Sequence, residues 1–279
     1  MRISGLMIGA LALLASCAPQ QQGVEAPVAA LSPSVCGEDT SCKVGDRSYA
    51  ARAPEGWNGT DPLPVLIHFH GWGRQGRTPI RSPRVYGATN ETGVLLLAPD
   101  GIRKSWAFWQ REDRDIRFAE AVLDDAARRW PIDRGRVYLS GYSFGSLMAL
   151  AVACDSGDKY AAVLGIGGLL DYARPSRCDT GPVSIRNVHG LRDNVIDLPT
   201  RDDPDPALGM LPWVQISGCD PENRTATAVE TVAPIHQYTE HRWSDCANGK
   251  EVQIDIHGRG HFIPRGWIKR QLEDLLARS

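Results

Sequence analysis

The sequence predicts an α/β domain with a mostly parallel central sheet covered by helices on both faces. Short apolar runs rich in branched residues alternate with longer segments of helical periodicity, the pattern of strands buried between helix layers. A G-x-S-x-G pentapeptide also sits where one of these runs passes into a helix, a strand-turn-helix arrangement typical of such sheets.

Val65–His70, Val94–Ala98, Arg136–Ser140, Ala162–Ile166 and Val183–Val188 read as central strands, buried on both faces. Val252–Ile256 alternates apolar with polar residues, so it is expected nearer a sheet edge with one wetter face. Residues Val44–Arg52 suit an antiparallel entry strand. Asp115 is placed to cap a helix carrying Ile116, Ala119, Val122, Leu123, Ala126 and Trp130 at three- and four-residue spacing, with Pro131 beyond it. A C-terminal helix starting near Pro264 carries Trp267, Ile268, Gln271, Leu272, Leu275 and Leu276 on one stripe.

At the N-terminus Arg2 precedes an apolar stretch, Leu6 to Leu14, too short to span a bilayer. Leu14-Ala15-Ser16-Cys17 resembles the lipobox of bacterial lipoproteins, which makes residues 1–16 a signal peptide and Cys17 a lipidation site; ordinary cleavage near Ala18 is the alternative. Residues 17–34, rich in Gln, Pro and Ala, read as a flexible tether, and 35–279 as one catalytic domain. The chain has seven cysteines. Setting Cys17 aside leaves an even number, suited to disulfides in an oxidising compartment. Cys36 with Cys42 and Cys219 with Cys246 each flank a turn-rich segment, which leaves Cys154 with Cys178. The expected location is therefore periplasmic, outer-membrane or extracellular, with a membrane reached only through Cys17.

Net charge over the 279 residues is −2, with no basic run, so nucleic acid is not an expected partner and a neutral substrate fits better. No H-E-x-x-H or C-x-x-C spacing suggests a metal, and no cofactor is implied. Gly71-Trp72-Gly73-Arg74-Gln75-Gly76 matches a dinucleotide fingerprint after a strand, but prolines follow where the helix that would receive a pyrophosphate should begin.

The chemistry is carried elsewhere. Val137–Ser140 runs into Gly141-Tyr142-Ser143-Phe144-Gly145, which lifts the Ser143 hydroxyl out of the sheet as a nucleophile. A hydroxyl needs a base and a group that orients the base. His261, in the glycine-rich loop after the Val252 strand, is the expected base, with His257 as competitor. Asp193, in the loop after the Val183 strand, is the expected acid, with Asp197 as rival. His68, His70 and His189 are expected to make structural hydrogen bonds. The Phe144 and Trp72 backbone amides are the expected oxyanion donors. Trp72, Trp106, Trp109 and Trp213 could form a platform for an aromatic or sugar-linked acyl group, or serve as packing residues.

With these motifs in place, the chain resembles the secreted polyhydroxybutyrate depolymerase and feruloyl or acetylxylan esterase group of α/β-hydrolases. The resemblance runs from about Cys42 to Leu276. It rests on His70-Gly71, Ala98-Pro99-Asp100-Gly101, Ile132 to Tyr138 before the elbow, His189-Gly190 with Asp193, and Gly260-His261. It implies the α/β-hydrolase fold, a Ser143–His261–Asp193 triad, and a late disulfide between Cys219 and Cys246. The short connection between the Ala162 and Val183 strands leaves no room there for a large lid, so an open site acting as a monomer on a polymeric or polysaccharide-linked ester is expected. Phe144, Ser146 and Phe262-Ile263-Pro264 depart from the family pattern and are expected to touch the acyl pocket. A binding module, a peptidase or a thioesterase on the same fold are the rival readings.

Overall fold

The computed structural model describes residues 36–278 apart from 38, 109–113, 170–177, 179 and 230–236. The expected signal peptide, Cys17, the whole tether and Trp109 lie outside the described residues.

In chain order the strands are β1 (Cys42–Val44), β2 (Arg47–Arg52), β3 (Leu63–Phe69), β4 (Leu95–Pro99), β5 (Ile132–Tyr142), β6 (Ala162–Ile166), β7 (Ile185–Gly190), β8 (Thr225–Val229), β9 (Tyr238–Trp243) and β10 (Val252–His257). They form one sheet in the order β1-β2-β4-β3-β5-β6-β7-β10-β9-β8. From β4 to β10 neighbouring strands run parallel, while β1, β2, β8 and β9 extend the sheet antiparallel at its two edges. Every position of β3, β4, β6 and β7 is buried; β4 and β6 are unbroken apolar runs, whereas β3 buries His68 and β7 buries Arg186, Asn187 and His189, each hydrogen-bonded.

The helices are α1 (Arg77–Ile80), α2 (Tyr86–Glu91), α3 (Arg114–Ala127), α4 (Phe144–Ser156), α5 (Leu211–Ile216) and α6 (Trp267–Ala277). Phe118, Ala119 and Val122 of α3, Met148 and Val152 of α4 and Trp213 of α5 pack in one apolar layer. Ile80, Tyr86 and Ala88 from α1 and α2, with Trp267, Ile268 and Leu272 from α6, build the layer on the other face. The sheet is thus covered on both sides. Cys36–Cys42, Cys154–Cys178 and Cys219–Cys246 are disulfide-bonded. No helix among the described residues is long and apolar enough to cross a membrane.

Three local expectations are corrected. Asp115 lies inside the first turn of α3, where its buried carboxylate accepts from Arg47 Nη1 at 2.6 Å and from the Ala107 N–H at 2.8 Å. It ties the helix to β2. The last helix begins at Trp267 because Gly266 takes a left-handed φ of 77°. And β10 is no near-edge strand: β9 and β8 lie beyond it, and all six of its residues are buried.

The polar residues of β10 face partners rather than water. Asp255 Oδ2 accepts from Trp267 Nε1 at 2.6 Å and Gln271 Nε2 at 3.3 Å, and Oδ1 accepts from Gln253 Nε2 at 2.9 Å. Burial outweighs these donors and pushes the Asp255 carboxyl up to about 7. The unfolded chain releases this proton near pH 4, so between about pH 4 and 7 the folded state binds the extra proton. This group's stabilising contribution is complete below pH 4 and is lost as pH rises through 7. Urea unfolding from pH 5 to 8 should show a wild-type decline of about 3 kcal/mol from this group that Asp255→Asn removes. Parallel pH profiles for the two proteins would assign the dependence elsewhere.

Candidate active site

At the end of β5 the chain turns so sharply that Ser143 adopts φ 59° and ψ −124°. A side-chain-bearing residue in that region costs roughly 1–3 kcal/mol, so its surroundings must hold it there. The Ser143 N–H donates to Ile166 O at 2.8 Å, and α4 starts at the next residue. The flanking glycines are obligatory: a Cβ on Gly141 would lie 2.0 Å from Gly145 O, and one on Gly145 would lie 1.9 Å from Phe69 O.

β7 and β10 are parallel neighbours, so the loops leaving their C-terminal ends run side by side, with Leu191 N–H donating to His257 O and Arg192 N–H to Arg259 O, both at 2.9 Å. This pairing brings Asp193 against His261, Nδ1 to Oδ2 at 2.6 Å. Asp193 Oδ1 meanwhile accepts the Val195 and Ile196 N–H groups at 2.9 and 3.0 Å. Turn formation and imidazole orientation are shared between the two oxygens of one carboxylate. Burial alone would raise the Asp193 carboxyl, but the His261 hydrogen bond and the two amides hold it below its ordinary value.

The competitors point elsewhere. Asp197 is exposed and pairs with Arg201 at 2.7 Å, and His257 Nδ1 accepts the Arg259 N–H at 3.2 Å. His189 Nε2 donates to Ile196 O at 2.9 Å, which steadies the Asp193 turn from behind. Tyr142 also supports the imidazole: its hydroxyl donates to His261 O at 3.2 Å, and the two rings lie 4.8 Å apart. That role has no local sequence signature beyond the residue's place in the pentapeptide.

Ser143 and His261 line one cavity of about 550 Å³ together with Gly71, Trp72, Arg74, Thr78, Pro79, Val85, Val195 and Ile263. His261 Nε2 is buried there and makes no hydrogen bond, so the Ser143–His261 link is not closed in this structure. Such contacts commonly tighten only when substrate is bound. No group of three or more His, Cys, Asp or Glu among the described residues is arranged to hold a metal ion.

The loop after β3 forms another wall. A Cβ on Gly71 would lie 3.6 Å from Ser143 Cβ, so the backbone passes directly over Ser143. His70 fixes this passage: Nδ1 donates to Gly71 O at 2.8 Å and Nε2 accepts the Gly101 N–H at 3.0 Å. A peptide's C=O and N–H point in opposite directions, so anchoring Gly71 O also sets the direction of the Trp72 N–H. Asp100 braces the same loop, accepting from Gly76 N–H and Ser48 Oγ, both at 2.8 Å. The segment that mimics a dinucleotide fingerprint is this loop, and it leads only into the four-residue α1.

No family model matches the chain. Feruloyl esterase D of Neurospora crassa is 26% identical to it over 272 residues, 92% of this chain and 87% of its own length. Feruloyl esterase C of Emericella nidulans is 25% identical over 189 residues, 63% of this chain and 67% of its own. Among solved structures, an acetyl xylan esterase from Aspergillus awamori superposes with a TM-score of 0.58 at 14% identity, covering 82% of this chain and 94% of the other. The chain is similar in sequence to these feruloyl esterases and shares the α/β-hydrolase fold.

Within that fold, the departures from the family pattern separate. Ile263 lines the cavity. Ser146 instead donates its buried hydroxyl to Gly168 O at 2.7 Å beneath α4, and Phe144 meets Phe108 edge to face at 5.3 Å, outside the cavity lining. Of the four tryptophans, Trp106 and Trp213 are each 1% exposed and belong to the core, whereas Trp72 is 71% exposed at the cavity. Trp106 Nε1 is committed to His70 O at 2.8 Å.

The contact of Gly145 with Phe69 O registers Ser143 against the loop that follows β3. Gly145→Ala should lower stability by about 3 kcal/mol or prevent folding, because only a backbone shift relieves the overlap. Thermal unfolding reads the effect; an unchanged melting temperature would show that α4 can move away from β3 freely.

Proposed function

We propose that the chain is an exported serine carboxylic-ester hydrolase of the feruloyl or acetylxylan esterase kind, with Ser143 as nucleophile, His261 as base and Asp193 as its orienting acid. The observation that carries this is the 2.6 Å link from His261 Nδ1 to Asp193 Oδ2 at the wall of the cavity where the strained Ser143 turn emerges. With Nδ1 committed as a donor, Nε2 is the basic nitrogen and faces the task of taking the serine proton.

In this reading Ser143 Oγ attacks the ester carbonyl as its proton passes to His261 Nε2. The tetrahedral oxygen is received by the Phe144 N–H at the start of α4 and by the Trp72 N–H that His70 orients. His261 returns the proton to the departing alcohol, and water then hydrolyses the acyl-enzyme through the same imidazole. The names of the sequence relatives, both feruloyl esterases, support an ester whose acyl group is an aromatic acid as substrate. Export is supported by the three disulfides together with the Leu6–Leu14 stretch, with lipidation at Cys17 as the anchoring step.

A fluorophosphonate probe should label the wild type and leave Ser143→Ala unlabelled; equal labelling of both would remove Ser143 from the role. Asp193→Asn should keep the fold and lower kcat about 10⁴-fold by leaving the imidazole in the wrong tautomer. Methyl ferulate, acetylated xylan, short-chain nitrophenyl esters and polyhydroxybutyrate form the panel for the substrate, and inactivity on all four would end the esterase reading.

A further inference from the structure

The −2 net charge of the chain conceals an uneven distribution in the fold. Arg74 lines the cavity with Ser143 and His261, is exposed, and forms no ion pair among the described residues. Arg84 lies alongside, its Nη1 donating to Ile263 O at 2.8 Å, and it too meets no carboxylate. Both guanidinium groups bear on the Tyr142 hydroxyl, opposing the rise that burial gives it. The Lys104 backbone adjoins the same loop, its carbonyl accepting the Gly73 N–H at 2.8 Å, and Arg192 and Arg259 belong to the Asp193 and His261 loops, outside the cavity lining.

The carboxylates at this end are already engaged. Asp193 holds His261, Asp100 holds the Gly76 amide and the Ser48 hydroxyl, and Asp197 pairs with Arg201. Elsewhere arginines are matched, as Arg47 is with Asp115, Arg129 with Asp125 and Arg136 with Asp133. Among the described residues that line the cavity Arg74 is the one arginine or lysine, and an unpaired charge on the wall of a cleft with apolar sides focuses its field into the cleft. The walls here are supplied by Trp72, Pro79, Val85, Val195 and Ile263.

We propose that this cavity selects esters bearing a carboxylate near the scissile bond, and that Arg74 is the residue that recognises the carboxylate. The inference rests on the esterase reading and narrows its substrate class to anionic esters, such as half-esters of dicarboxylic acids or esters of carboxylated phenols or sugars. A guanidinium offers the planar pair of donors that a carboxylate accepts. The reaction at the ester is unchanged; the charge acts on binding and approach.

The test uses two matched pairs: 4-acetoxybenzoate against its methyl ester, and monomethyl succinate against methyl butyrate. Binding to Ser143→Ala protein, followed by ligand-observed NMR titration, requires no turnover, so it fails separately from hydrolysis of the neutral esters by the wild type. At low salt the anionic member of at least one pair should bind about fivefold more tightly. Arg74→Gln should abolish that preference, Arg74→Glu should reverse it, and about 0.5 M salt should compress it. Wild-type kcat/KM ratios should follow the same order. Equal binding within both pairs overturns the proposal, as does an anionic preference that Arg74→Glu leaves unchanged.

Discussion

The close approach of three backbones at the end of β5 is the constraint on which the rest of the site depends. Gly141 lies against Gly145, and Gly145 against Phe69 and His70, at distances that leave no room for a Cβ. That packing forces the left-handed turn at Ser143, and it also fixes where the chain after Phe69 can go. Ser143 and the loop after β3 are therefore registered to each other through main chain alone. His70 and Asp100 then need only to orient a segment whose position is already set.

Local features of this arrangement were legible in the sequence because their signals are local. The pentapeptide, the apolar runs of β3, β4 and β6, and the apolar stripe of α6 each depend on residues close in the chain. Asp193 and His261 were legible as residues just past strand ends. That they meet depends on β7 and β10 being neighbours, which no single segment encodes. β10 was misread because alternation normally reports water on one face, whereas here Gln253 and Asp255 are met by Trp267 and Gln271 of α6 and by Glu240 of β9. β8 and β9 gave no apolar run to find: β8 is almost wholly exposed, and the middle of β9 is Thr-Glu-His-Arg. His70 and Asp100 stood out in the sequence, but their supporting roles depend on partners 24 to 52 residues away in the chain, which no local pattern encodes.

Asp193 and Asp255 show how position on adjoining strands decides what a carboxylate does. Asp193 leaves the sheet at the end of β7, where two turn amides and an imidazole favour its charged form. Asp255 stays inside the sheet on β10, where removal from water outweighs its three donors. One is held toward its charged form against an imidazole. The other is drawn toward its neutral form and joins β10 to α6, so the chemical difference comes from how far donors offset burial and not from residue type.

The same logic explains why the sequence's charge balance misleads about the site. Arg186, fully buried near the start of β7, is satisfied by Glu251, Gln271 and Asp274, and Arg242 and Arg278 join the same acidic groups. A guanidinium taken out of water demands this degree of matching, because its desolvation would otherwise exceed any gain. Acidic side chains are thus consumed near the beginnings of β7 and β10 and along α6, while at the strands' C-terminal ends Arg74 is exposed and meets no carboxylate among the described residues. Pairing driven by burial at one end of the strands leaves Arg74 unmatched at the other, on the wall of the cavity where Ser143 emerges.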